Sequence, residues 1–138
     1  TESNGGFKNV AIINCVFDGC QGLSLESVDG ALLEDFVISN ITMRDITSAP
    51  LFIRLGARNR GPAASLQKGT IRRISITNLN SYNASSEYGC IISGIPGNAI
   101  EDVRLSHIFL HHQGGGTEEQ ARLDPEEDAS HAGRFGPA

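Results

Sequence analysis

The 138-residue sequence predicts an all-β chain wound as a parallel β-helix of about four partial coils. Three observations predict it: a short phrase occurs four times, it alternates apolar and polar residues as a strand does, and strand-like segments follow three of its copies. The copies are Lys8-Asn9-Val10-Ala11-Ile12-Ile13-Asn14-Cys15, Glu34-Asp35-Phe36-Val37-Ile38-Ser39-Asn40-Ile41, Arg72-Arg73-Ile74-Ser75-Ile76-Thr77-Asn78-Leu79 and Glu101-Asp102-Val103-Arg104-Leu105-Ser106-His107-Ile108. Each reads polar, polar, apolar, x, apolar, x, Asn, apolar, with His107 replacing Asn in the last.

In chain order, the first copy is followed by Gly22-Leu23-Ser24-Leu25-Glu26, the second by Pro50-Leu51-Phe52-Ile53-Arg54-Leu55 and the third by Gly89-Cys90-Ile91-Ile92-Ser93. Val10 to Phe36 is 26 residues, Phe36 to Ile74 is 38 and Ile74 to Val103 is 29, so a fixed core carries loops of variable length. Stacked repeats tolerate that variation. Helical-repeat arrays are excluded, because they would show stripes of period 3.6 where this chain shows β-branched alternation. The longest spacing is accounted for by Gly56-Ala57-Arg58-Asn59-Arg60-Gly61-Pro62-Ala63-Ala64-Ser65, a basic loop punctuated by Gly and Pro.

Stacking brings equivalent positions of neighbouring coils within about 4.8 Å. The expected inward columns are Val10/Phe36/Ile74/Val103, Ile12/Ile38/Ile76/Leu105 and Cys15/Ile41/Leu79/Ile108. An amide both donates and accepts, so Asn14, Asn40 and Asn78 are expected to form a side-chain ladder; the plainer reading is that Asn marks turns. Asp35 and Asp102 recur at one repeat position, which argues for a turn role.

The formal net charge of −5 and pI near 5.3 give no basic field for a nucleic-acid backbone, so no nucleic-acid partner is expected. No apolar run is long enough to cross a bilayer, so no membrane partner is expected either. The chain begins at Thr1 without a basic and apolar leader, and is expected to start at a cut within a longer protein. The three cysteines, Cys15, Cys20 and Cys90, are expected as buried free thiols, with a local Cys15–Cys20 bridge the alternative. They lack the Cys-x-x-Cys or His spacing of a metal site.

Residues 1–113 are assigned to the coils and 114–138 to a Gly- and acid-rich loop or disordered tail, within which Thr117 and Gln120 predict a short capped helix over 117–123. Two Asn-x-Ser/Thr sequences occur; Asn40 is assigned to the ladder, and Asn83, expected in a loop, is the candidate glycosylation acceptor. His111-His112 is expected at a turn or surface, because no carboxylate pattern accompanies it.

Glu2-Ser3-Asn4-Gly5-Gly6-Phe7-Lys8-Asn9-Val10, Gly22-Leu23-Ser24-Leu25-Glu26, Asn40-Ile41-Thr42-Met43 and Ile95-Pro96-Gly97 resemble the second half of polygalacturonase-type glycoside hydrolases, family 28. The resemblance covers roughly residues 1–116. It implies a right-handed, pectin-lyase-like solenoid, inverting hydrolysis of pectic polymers (polygalacturonan or rhamnogalacturonan), a secreted or periplasmic location, no cofactor, and a monomeric full-length protein. Inversion places two carboxyl groups about 6.5–9.5 Å apart to admit water. The family's Asn-Thr-Asp, Asp-Asp and Gly-His-Gly motifs are absent here. The catalytic acids are therefore expected upstream of Thr1, and the fragment alone is expected to be inactive.

The family's Arg-Ile-Lys, which binds substrate carboxylate, falls on Ser24-Leu25-Glu26, where both cations are missing. Either the subsite takes a neutral sugar, or a cation arrives from a neighbouring coil, where Arg54 occupies the equivalent position and Arg58 and Arg60 follow. Ser24, Glu26, Arg54 and Arg58 are accordingly the candidate substrate-binding residues. The plainer readings stand beside these: Glu26 and Arg54 as a cross-strand ion pair, Arg58 and Arg60 as solvated loop charges. A non-catalytic carbohydrate-binding or adhesive module is a further alternative on the same fold, as is a pectate lyase-like protein with calcium-binding acids and a basic proton abstractor. An open apolar face at the first coil predicts poor folding or aggregation of the isolated chain.

Overall fold

Left-handed backbone at regular intervals shapes the long strands. The computed structural model describes residues 4–58 and 67–122. In it Asn9 and Asn14 have φ of 58° and 57°, and Gly19 follows at 59°. The second repeat does the same at Asp35, Asn40 and Asp45, and the third at Arg73, Asn78 and Asn83. The fourth does so at Asp102 and His107. Most of these are Asn or Asp, the non-glycine residues that adopt this conformation most readily.

Each such corner shifts which residues face inward. Along the second repeat the buried apolar residues are Leu33, Phe36, Ile38, Ile41, Met43 and Ile46. Their spacing is two within a straight piece and three across each left-handed residue. A strict strand alternates with period two, so without Asn40 the side chain of Ile41 would face solvent. The recurring phrase is this rule written in residue types.

The elements are β1 (Gly6–Asp18), β2 (Leu23–Ser27), β3 (Leu32–Arg44), β4 (Leu51–Leu55), β5 (Thr70–Ala84), β6 (Ile91–Ser93), β7 (Glu101–His112) and a short helix α1 (Glu118–Ala121). Two parallel sheets result, ordered β1-β3-β5-β7 and β2-β4-β6, with the chain passing from one to the other at each step. The registers pair Val10 with Phe36, Ile74 and Val103, then Ile12 with Ile38, Ile76 and Leu105, and Cys15 with Ile41, Leu79 and Ile108, so the three expected columns stand. The amide ladder also stands, since Asn40 Nδ2 donates to Asn14 Oδ1 at 2.9 Å and Asn78 Nδ2 to Asn40 Oδ1 at 2.8 Å. The other corners are tied similarly: Arg73 donates to Asp35, and Asn83 Nδ2 to Asp45 Oδ1 at 2.5 Å.

The core lies between the sheets, filled by Leu25, Ile38, Ile41, Met43, Ile53, Leu55, Ile74, Ile76 and Leu79. It fades at both ends. Among the described residues none of β1 or β7 is buried, and Leu105 and Ile92, though in the inward columns, are each 43% exposed. Entry to β2 depends on Gly22: at φ +117° an added Cβ would lie 2.0 Å from the carbonyl oxygen of Ala49, and no side chain fits there.

Several expectations are corrected. The second strands are shorter at their starts than the sequence suggested, and β2 runs on to Ser27. The cysteines are unbridged but not buried; Cys15 and Cys20 are half-buried and Cys90 is exposed, because Cys15 lies on an edge strand and Cys90 precedes β6. Asn83 lies in β5, not a loop, with its amide held by Asp45, which removes the reason for choosing it as a glycan acceptor. The predicted helix forms with Thr117 as N-cap and a capping box to Gln120, ending at Ala121; Leu123 lies outside the described residues, as does most of the tail. Among the described residues no helix is long and apolar enough to cross a membrane.

Candidate functional site

Alternation along β2 turns Leu23, Leu25 and Ser27 inward and leaves Ser24 and Glu26 on the opposite face, both half-buried. Parallel pairing then sets Ser24 beside Phe52, which adjoins Ile91, and Glu26 beside Arg54, which adjoins Ser93. The outward columns thus hold a single carboxylate and a single guanidinium on neighbouring strands. Ser24 Oγ donates to Glu26 Oε1, orienting the carboxylate along its own strand.

Arg54 departs from the expectation of a projecting, accessible cation. It is only 8% exposed and Phe52 is fully buried, so the outward face of β4 is covered while that of β2 is not. Arg58 departs further from the reading of a solvated loop charge. Its Nε donates to Asp29 Oδ1 at 3.3 Å and its Nη2 to Asp29 Oδ2 at 2.7 Å, while its backbone N–H donates to the carbonyl of Val28. Asp29 itself is 7% exposed. A two-point guanidinium–carboxylate contact fixes both planes, so Arg58 anchors the start of its loop to the turn after β2. Arg60 lies outside the described residues.

The structure therefore brings Ser24, Glu26 and Arg54 together and sets Arg58 apart. A recess of about 300 Å³ adjoins Ser24 and Glu26, but its other walls are Phe7, Val10, Leu25, Leu33 and Phe36. Those are inward-facing residues, so the recess is the mouth of the core at the β1 end, and neither Arg54 nor Arg58 lines it. A second, of about 730 Å³, runs along residues 92–100 at the opposite end. Chemically, the Glu26 face offers a hydrogen-bond acceptor beside a cation, a set that suits sugar hydroxyls. It lacks the second carboxyl group that acid–base hydrolysis needs. Among the described residues no group of three or more His, Cys, Asp and Glu is placed to hold a metal ion. His111 and His112 serve the backbone: His111 Nδ1 accepts from the Asn83 N–H at 3.4 Å, and His112 Nδ1 lies 2.8 Å from the Ser85 carbonyl.

The repeat phrase also carries a charged cluster that apolar alternation does not reveal. Glu34 is 1% exposed and meets Lys8 Nζ at 2.6 Å, Arg72 Nε at 2.5 Å and Arg73 Nη2 at 2.6 Å, joining three strands. Hydrogen bonds from Lys8 and then Arg72, with the Arg73 charge nearby, hold its pKa down to about 2. Arg73 likewise lowers the pKa of Asp35 by hydrogen bonding. The signal was present: Lys8, Glu34, Arg72 and Glu101 occupy one repeat position with alternating sign.

Comparison with protein-family models, with curated proteins and with solved structures gave no match.

Proposed function

We propose that the chain is part of a polygalacturonase-type glycoside hydrolase that acts on pectic polymers outside the cytoplasm by inverting hydrolysis. In this reading the two parallel sheets are walls of a right-handed parallel β-helix. The catalytic aspartates come from coils that precede Thr1, and the outward face of β2, which carries Ser24 and Glu26, is a flank of the substrate cleft. The observation that carries the reading is the stacking of Glu26 beside Arg54 where the family phrase Gly22-Leu23-Ser24-Leu25-Glu26 puts the substrate-carboxylate motif. Arg54, itself covered, stands beside Glu26 from the neighbouring repeat and offsets its charge without projecting into the cleft. Arg58 is withdrawn from the proposed contacts, since Asp29 occupies it.

Two experiments test this. The open reading frame upstream of Thr1 is expected to encode an Asp-Asp pair one to two coils earlier, and its absence would sink the enzyme reading in favour of a non-catalytic carbohydrate-binding module. The 138-residue chain is expected to release no reducing ends from polygalacturonate, whereas a chain extended to include that pair does. Release by the short chain would overturn the placement of the catalytic acids.

A further inference from the structure

The two ends of the stack are complementary. Seven of the nine large apolar side chains left exposed belong to end strands: Phe7, Ile13 and Val16 at one end, Ile92, Leu105, Phe109 and Leu110 at the other. Among the described residues β1 and β7 each have a single strand neighbour, so each presents a row of backbone N–H and C=O groups of the same parallel type. Left-handed corners at Asn9 and Asn14 match those at Asp102 and His107 in both spacing and backbone angle. Laid on β7 in the register that β7 keeps with β5 from Glu101 to Leu110, ahead of the one-residue shift between Ser81 and Ala84, β1 of another copy sets Val103 against Val10, Leu105 against Ile12 and Ile108 against Cys15.

Charge adds a direction. The column Lys8, Glu34, Arg72, Glu101 alternates in sign, with a cation at the β1 end and an anion at the β7 end. Lys8 already touches Glu34 on one side. Among the described residues Glu101, which is exposed, has no ion-pair partner. In the stacked arrangement Glu101 faces Lys8 of the next copy and continues the alternation. Opposite charges directly across strands favour that register and like charges oppose it.

We propose that copies of the 138-residue chain stack head to tail, the β7 edge of one pairing in parallel with the β1 edge of the next. In the parent protein of the function proposed above, preceding coils take this edge; among the described residues no strand pairs with it, and the inference rests on the repeats, not on the hydrolase. The contact joins unlike surfaces and does not close on itself, so it generates open-ended assemblies.

Sedimentation velocity over a concentration series tests it. The wild type is expected to form progressively longer species, and Leu105→Lys, at a position exposed in the single copy, is expected to stay monomeric. Glu101→Lys sets a second ammonium group against Lys8 of the next copy and should weaken association by at least about tenfold. Lys8→Glu does the same from the other side, and mixing the two variants should restore association. If Lys8→Glu fails to fold by circular dichroism, the Leu105→Lys and Glu101→Lys arms decide alone. A wild type that is monomeric throughout, or one whose association both substitutions leave unchanged, overturns the proposal. So does an insoluble wild type whose Leu105→Lys variant is equally insoluble. Stacking without pectin hydrolysis by any extended chain would count against the enzyme and leave this contact standing.

Discussion

Asn40 does two things at once. Its backbone turns the strand through a left-handed corner, and its amide accepts from Asn78 and donates to Asn14. Substitution separates the two roles. Asn40→Gly keeps the conformation and loses the ladder, which is expected to cost about 1 kcal/mol at this exposed position. Asn40→Ala loses both, because an alanine in left-handed backbone costs roughly a further 1–2 kcal/mol. Urea unfolding measures the difference, and equal losses would show that the corner tolerates any residue. The Asn column was readable in the sequence because one residue type fills it. The column five residues earlier was not: Asn9, Asp35, Arg73 and Asp102 share a backbone angle but not a side chain, and only Asp occurs in it twice.

Strands differ in what surrounds them. β5 is covered on both sides by β3 and β7, whereas β7 is covered on one, so the same inward column carries different energies at its middle and its end. Ile76, fully buried, is expected to lose about 2–5 kcal/mol on change to Ala. Leu105→Ala, at 43% exposure, is expected to lose less than about 1 kcal/mol in the single copy. Comparable denaturant midpoints for the two variants would contradict the gradient. The inward columns were readable because a core imposes its periodicity on residue choice. The burial of Phe52 and Arg54 was not, since a strand's alternation reports which way a side chain faces and nothing of what packs over it.

At the scale of the molecule, Glu34 is where the first three repeats meet, through Lys8, Arg72 and Arg73. Its folded pKa of about 2 lies below the ordinary value of 4.5. The native state therefore prefers the carboxylate, and the stability it supplies is present above about pH 4.5 and is lost as pH falls towards about 2. Glu34→Gln should lower stability at neutral pH, leaving three cations without their shared anion, and should flatten the acid limb of a stability–pH profile. An unchanged acid limb would show that other carboxylates govern it. The sequence disclosed that the repeats stack, because a fourfold phrase has few physical explanations. A catalytic role rests on the family resemblance alone, because inverting hydrolysis needs two carboxyl groups and the outward columns of β2, β4 and β6 carry Glu26 alone.

The corner spacing sets an arithmetic for length changes. Corners fall every five residues, at 9, 14 and 19, at 35, 40 and 45, and at 73, 78 and 83, and each cycle restores the same inward and outward assignment. Inserting or deleting one or four residues within a long strand would therefore turn every downstream core side chain outward and two or three would turn half of them, whereas a change of five would return every side chain to its face. The connections between the sheets have no such frame. Apart from the one-residue shift between β5 and β7, variation in repeat length falls in them, and spacings of 26, 38 and 29 residues between copies coexist with a continuous core.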